Sequence, residues 1–367
     1  MAIPARAIPH RWSSQAGLAD IAQEKGLSLR ALCVDRKGGT LTTTRVVPGF
    51  GDFGTEEVKN SFASPTPIIE KDRVYIHFGQ RGAACLSTSG EGIWKNTSLQ
   101  YSQPYSGAST PILFKDSLIL TCDGTDSQFV VALNKRTGKV VWKTVRTHFK
   151  ERAKPLPLMA YSTPLIVTVD GVPQIVSSAA DHAAAYDART GREIWWLRYD
   201  GFSEVFRPVT WRGLVFLQGF ENVSEVKLYA VRPNGKGEIT KTHVEWKLDR
   251  GAPFVPSPLV VGDELYTVSD AGIASCLDAR TGADLLEGPH RRQPFGIPTL
   301  RRRQDLLLQR AGSHLRAGSR KDVSTGCQER VGQRNHCVTG RGRPSTLHSD
   351  AVTPLPNREA VADTLCQ

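Results

Sequence analysis

Residues 185–195 read Ala-Tyr-Asp-Ala-Arg-Thr-Gly-Arg-Glu-Ile-Trp, and nearly the same phrase stands at 132–142 as Ala-Leu-Asn-Lys-Arg-Thr-Gly-Lys-Val-Val-Trp. A third copy begins at Cys276 as Cys-Leu-Asp-Ala-Arg-Thr-Gly and has Leu286 where Trp is due; a shortened one ends at Trp94. Each copy has one physical reading. A strand ends at the Asp or Asn, Thr-Gly makes a tight turn in which Gly supplies φ > 0, and a second strand follows.

Two landmarks carry this phrase along the chain. Taking the turn glycine as a ruler gives Gly39, Gly90, Gly138, Gly191, Gly235 and Gly282, spaced 51, 48, 53, 44 and 47 residues apart. A proline heading an apolar strand recurs at Pro67, Pro111, Pro164, Pro208 and Pro258, in step with the first ruler. Between the landmarks lie a short strand, an Asp/Gly turn, a β-branched strand such as Ser117-Leu-Ile-Leu-Thr, and the hairpin phrase. Four short strands in about 45 residues, repeated, is the anatomy of a propeller blade. The expected fold is therefore an all-β propeller of four-stranded blades, incomplete at about five to six, with an irregular C-terminal tail. The expected segments are an irregular 1–27, blades over 28–286, and an Arg-rich 287–367.

The Trp falls four residues after the turn glycine at Trp94, Trp142 and Trp195, and Trp246 is expected to take that place in the stretched Gly235 unit. A large ring at one fixed point of every blade can wedge against its neighbour. The slot held by Ala132 and Ala185 is held by Cys33, Cys85 and Cys276 elsewhere, so it calls for a small buried side chain. The seven cysteines include no C-x-x-C pair, which argues against zinc or a redox dithiol.

Ala-x-Asp-x-x-Thr-Gly-x-x-x-Trp resembles the tryptophan-docking motif of the pyrroloquinoline-quinone (PQQ) repeat propellers, over about 31–286. The residues that carry the resemblance are Ala132, Asn134, Gly138 and Trp142, then Ala185, Asp187, Gly191 and Trp195, with Trp94, Asp278 and Gly282. That family includes quinoprotein dehydrogenases and non-enzymatic envelope scaffolds of the BamB type. It implies work in the bacterial envelope, although Met1-Ala-Ile-Pro-Ala-Arg lacks the apolar region of a secretory signal. The dehydrogenases add an adjacent Cys-Cys disulfide, a Glu/Asn/Asp calcium set and an Asp base, and this chain has no Cys-Cys. The expectation is a non-catalytic module with no cofactor, holding another protein or a small ligand at the propeller face. PQQ and calcium belong to the alternative, a quinoprotein dehydrogenase oxidising alcohols or sugars.

Other chemistry is weakly signalled. Gly49-Phe-Gly-Asp-Phe-Gly54 fits G-x-G-x-x-G but has no strand before it or long helix after it, and reads as a loop. Asp123-Gly-Thr-Asp126 could face calcium, yet reads better as a turn. Asp181-His182 could be an acid/base pair, yet reads better as a polar rim. No apolar run is long enough for a transmembrane helix.

The net charge is +11. Residues 288–367 hold 14 bases and 6 acids, which leaves 33 bases and 30 acids for the other 287 residues. A general nucleic-acid-binding face is not supported; the Arg-rich tail alone would carry such a function. That tail has no Trp or Tyr, and its strand alternation vanishes after Gly282. A disordered basic tail, a separate appendage and a reading-frame slip near 283 are three readings of it. The slip is favoured because the break falls inside a motif. If it is right, one alternative frame of the coding DNA continues past 283 with a strand, a turn and a Trp; two barren frames would sink it.

Overall fold

The computed structural model describes residues 10–18, 27–35, 41–46, 62–151, 158–221, 225–270 and 273–289, and then 298–302, 305–310, 313–317 and 329–330. Five sheets follow one another over 68–96, 112–145, 165–198, 209–248 and 259–289, each with four antiparallel strands paired in sequence order. No α-helix occurs among the described residues. The blades stack so that the larger apolar clusters are shared by neighbours. Leu118, Leu120, Val131 and Leu133 pack with Tyr75 and Cys85 of the preceding blade. Ile119, Val130 and Ala132 pack with Ile175, Ala184 and Tyr186 of the next. Because both faces of a blade are covered, its two middle strands are buried nearly throughout, and their sequences are apolar runs rather than alternations.

Strand pairing reaches beyond 28–286 in both directions. His10–Leu18, inside the segment expected to be irregular, pairs along its length with Leu27–Asp35, and Leu41–Val46 completes a three-stranded sheet. In the tail, Pro298–Arg302, Asp305–Arg310, Ser313–Ala317 and Glu329–Arg330 form a further four-stranded sheet. Its register sets Leu300 opposite Leu306 and Leu308 opposite Leu315, a short apolar alternation hidden among arginines. Residues from 331 onward are outside the described ones.

The outer hairpin of every blade has the same register. Trp94 faces Cys85, Trp142 faces Ala132, Trp195 faces Ala185, Trp246 faces Ala230, and Leu286 faces Cys276. A one-residue bulge follows that pair each time. Directly opposed side chains stand only about 5 Å apart, so a large ring requires Ala or Cys across the ladder. Cys33, which faces Thr43, is buried in the same slot.

The rings also join blades. A Cβ on Gly138 would lie 2.5 Å from Cε3 of Trp94, and one on Gly282 would lie 2.7 Å from Cε3 of Trp246; Trp142 sits on Gly191 in the same way. The indole N–H of Trp94 donates to the Lys135 carbonyl at 3.0 Å, and that of Trp246 to the Ala279 carbonyl at 3.3 Å. The turn that receives the ring is built identically in three blades. The Oδ1 atoms of Asn134, Asp187 and Asp278 accept two backbone N–H groups, from Arg136 and Thr137, Arg189 and Thr190, and Arg280 and Thr281. Gly138, Gly191 and Gly282 then take φ of 72°, 74° and 71°.

One joint differs. Gly235 is not a left-handed turn glycine; Gly237 is, with φ 66°, because the hairpin between Val231 and Val244 is too long for the motif turn. Its excursion lays Gly237–Glu238 parallel on Trp195 and Trp196, as a fifth strand of the preceding blade. Ile239 is buried against Trp195, whose N–H turns back to Gln174 Oε1 at 2.9 Å.

Gly138→Ala adds both a ring clash and left-handed strain, so it is expected to cost about 2–4 kcal/mol. Gly213→Ala has φ 85° but open space around it and is expected to cost about 1 kcal/mol. Urea denaturation of the two variants tests this; equal losses would remove the ring contact from the account.

Candidate functional site

The motif turns lie at one end of the sheets. At the other end lie the turns between second and third strands and the connections from blade to blade. This connection face gathers the polar side chains of the interior. Its centre is Arg146, the first residue after Val140–Val145. Its Nε and Nη2 reach the two carboxylate oxygens of Asp123 at 2.7 and 3.0 Å. Its remaining donors reach Tyr186 Oη at 3.1 Å and Ser177 Oγ at 2.7 Å on the next blade. The pair is buried, with side-chain exposures of 0% and 2%. Burial opposes the Arg146 charge, but Asp123 outweighs it and holds the guanidinium above its ordinary range. A buried bidentate pair, with four of the five guanidinium N–H groups bonded, ties the two blades in one geometry.

Glu204 is the second unusual group. It lies in a two-residue strand, Ser203–Glu204, that pairs parallel with Met159–Ala160 between successive connections. The residue is fully buried, and neither carboxylate oxygen has a hydrogen-bond partner among the described residues. Burial first, then the nearby Asp181 and Asp123 carboxylates, push its pKa well above the usual range. His182 is shifted the other way by the same first cause. Burial and then Arg146 push it well below its ordinary value, and its Nδ1 donates to the Ala180 carbonyl at 2.9 Å.

The residues singled out in sequence fall here differently. Asp181 and His182 are both 0% exposed, buried rather than on a rim. The adjoining Ala183, Ala184 and Ala185 pack between two blades. Asp181 takes φ 66° in the two-residue turn and accepts the backbone N–H groups of Lys150 and Gly201. Within the Asp123–Asp126 loop, Asp123 faces Arg146 while Asp126 accepts the Ser102 N–H at 2.6 Å. The two carboxylates therefore hold separate partners. Gly49–Gly54 lies outside the described residues. Cys33, Cys85, Cys122 and Cys276 are buried in four different sheets, and no group of three or more His, Cys, Asp or Glu converges among the described residues.

The recurrent proline heads sit on this face too, and the residue before each carries a bond that sequence reading missed. Thr66 N–H donates to Thr110 Oγ1 at 3.0 Å, Thr110 N–H to Thr163 Oγ1 at 3.0 Å, and Arg207 N–H to Ser257 Oγ at 3.0 Å. The belt is interrupted between Thr163 and Arg207, where Arg offers no acceptor. Below it, His77, Thr121 and Gln218, each two residues past the strand residue that faces the Ala or Cys slot, hold the connections. They contact Ser109 O, Ser162 O, and Val205 N, Phe206 N and Phe254 O. Burial lowers His77 to about 4.

These shifts have opposite signs in a pH titration. Both His77 and His182 stabilise the fold above pH 6.5 and lose that contribution as pH falls through their depressed values. Glu204 stabilises it at low pH and loses that contribution as pH rises from 4.5 toward its raised value. Glu204→Gln is expected to gain stability relative to the unsubstituted chain as pH rises past 4.5, by at most ~1.4 kcal/mol per pH unit, read by denaturant unfolding of both at several pH values; a difference that does not change with pH would refute it.

Comparison with known proteins now has a geometry to rest on. A family model described as "Outer membrane protein assembly factor BamB" matches residues 126–306. BamB from Moraxella catarrhalis superposes with a TM-score of 0.55 at 14% identity, covering 87% of this chain and 90% of that one. The computationally designed Ika8 protein gives 0.51 at 13% identity, covering 87% and 86%. A quinohemoprotein alcohol dehydrogenase from Comamonas testosteroni gives 0.42 at 10%, covering 79% and 67%. No curated protein matches the chain. Residues 126–306 thus match the BamB family model, and the chain shares the β-propeller fold of the BamB structure.

Proposed function

We propose that this chain is a non-catalytic PQQ-like propeller, a rigid disc that holds another protein or a small ligand at its face in the bacterial cell envelope. The observation that carries this reading is the use made of the polar interior. Asp123, Arg146, Ser177 and Tyr186, the side chains best suited to acid–base or anion chemistry, are bonded to one another across two blades. They join blades rather than present themselves to a substrate. The motif residues Ala132, Asn134, Gly138, Trp142, Ala185, Asp187, Gly191, Trp195, Trp94, Asp278 and Gly282 serve as the joints of the opposite face. The match to the family described as an outer membrane assembly factor supports the envelope and a protein partner. No helix among the described residues is long and apolar enough to cross a membrane.

The purified full chain with PQQ and Ca²⁺ is expected to show no bound-quinone absorbance and no dye-linked oxidation of alcohols or sugars. A bound quinone with turnover would replace this reading by the dehydrogenase one.

A further inference from the structure

Sheet edges need cover, because a row of free N–H and C=O groups invites another strand. This propeller treats its outer strands in three ways. The edge Val244–Leu248 is charged: Glu245 pairs with Arg232, and Lys247 pairs with Glu221 and Asp249. The edge Glu193–Arg198 is covered by Gly237–Glu238 of the following blade. The edge Val140–Val145 is neither. It ends its sheet, and its Val140, Val141 and Val145 are 47%, 53% and 59% exposed, half of the exposed large hydrophobic residues among the described ones.

The covered edge shows what an open one accepts. There the added segment donates Ile239 N–H to the Trp196 carbonyl at 2.9 Å, and Thr240 Oγ1 accepts the Arg198 N–H at 2.9 Å. Glu238 approaches Arg198, the nearest outward cation, at 3.9 Å. The common register of the hairpins makes Trp142 the counterpart of Trp195. Lys143 and Val145 therefore correspond to Trp196 and Arg198. The inward bonds of the strand agree, since Arg146 N–H goes to the Gln128 carbonyl, which leaves Lys143 C=O and Val145 N–H directed outward. On this edge Val140, Lys143 and Val145 share one side, opposite Leu133, Val131 and Phe129. Lys139 and Lys143 are exposed, and the strand contains no acid.

We propose that Val140–Val145 is a docking strand for an extended segment of a partner protein that presents an apolar, an acidic and an apolar residue in turn along one face. The segment adds as a fifth strand, as Gly237–Glu238 does on the next blade. Main-chain bonds supply the affinity, apolar side chains cover Val140 and Val145, and a carboxylate meets Lys143. A second copy of this strand is the poorer occupant. Pairing it antiparallel about Lys143, the outward-bonding residue nearest its centre, sets Lys143 against Lys143, a like-charge pair that destabilises a ladder. The proposal rests on the binding-module reading only in requiring a partner protein, and the quinone test reads a different property.

The test uses the full chain and a labelled ten-residue peptide with Ser along one face and Val, Val, Glu, Val, Val along the other, followed by fluorescence anisotropy. Saturable binding is expected, at least 10-fold weaker for Val145→Lys and for the same peptide with a central Pro, which lacks the donor. Lys143→Glu should shift preference to the same peptide with Lys in place of its Glu. All three altered side chains are exposed or on the peptide, and unchanged melting temperatures verify that the variants are folded. Absence of binding, equal binding by Val145→Lys or by the Pro peptide, or a dimer in sedimentation equilibrium that Val145→Lys dissolves would overturn the proposal.

Discussion

A tryptophan ring lying on the backbone of a left-handed glycine is the contact on which this architecture depends. The ring needs a flat floor, and only a residue without a Cβ supplies one at φ near 70°. The floor must also stay at a fixed height, which the Asx-type turn at Asn134, Asp187 and Asp278 ensures by fastening two backbone N–H groups to one side-chain oxygen. The same ring dictates a small residue across the ladder. One contact thus explains four positions of an eleven-residue phrase. The indoles of Trp94, Trp142 and Trp246 are half-buried, and removing roughly 100 Å² of each from water contributes about 2.5 kcal/mol, enough to help order the joint.

The opposite end of the sheets solves the same problem with polar chemistry. The connections must pass close to the axis, where backbone groups cannot all find strand partners. Hydroxyls at the proline heads, and His77, Thr121 and Gln218 at the strand ends, take those groups up. Arg146 is the extreme case: a single guanidinium satisfies Asp123 in its own blade and Ser177 and Tyr186 in the next. The disc is therefore held by apolar rings on one face and by a hydrogen-bonded belt on the other.

The apolar half was legible in the sequence because it is local. Ala, Asp, Thr-Gly and Trp lie within eleven residues, and periodic spacing alone placed Trp246 in the register it occupies opposite Ala230. The polar half was not, since Asp123, Arg146, Ser177 and Tyr186 are up to 63 residues apart and no spacing rule joins them. The proline heads were visible as a ruler, while the bond-making residue is the one before each proline. Gly235 misled because a long hairpin keeps a glycine at the right interval without the turn. Asp181 and His182 misled because a two-residue turn in sequence looks like surface, whereas here neighbouring connections fold over it.

The strap formed by Gly237–Glu238 has a consequence for how the disc comes apart. In a stack of repeats, stability is a sum of unit terms and nearest-neighbour couplings. The coupling between the 165–198 and 209–248 blades includes a shared strand and the buried Ile239, so these two blades form one cooperative block. The 112–145 and 165–198 junction adds the Arg146 network to its ring, although the Trp142 indole N–H has no acceptor among the described residues. Local opening therefore begins away from these two junctions, and the 165–198 blade, held on both sides, behaves as the keystone of the array.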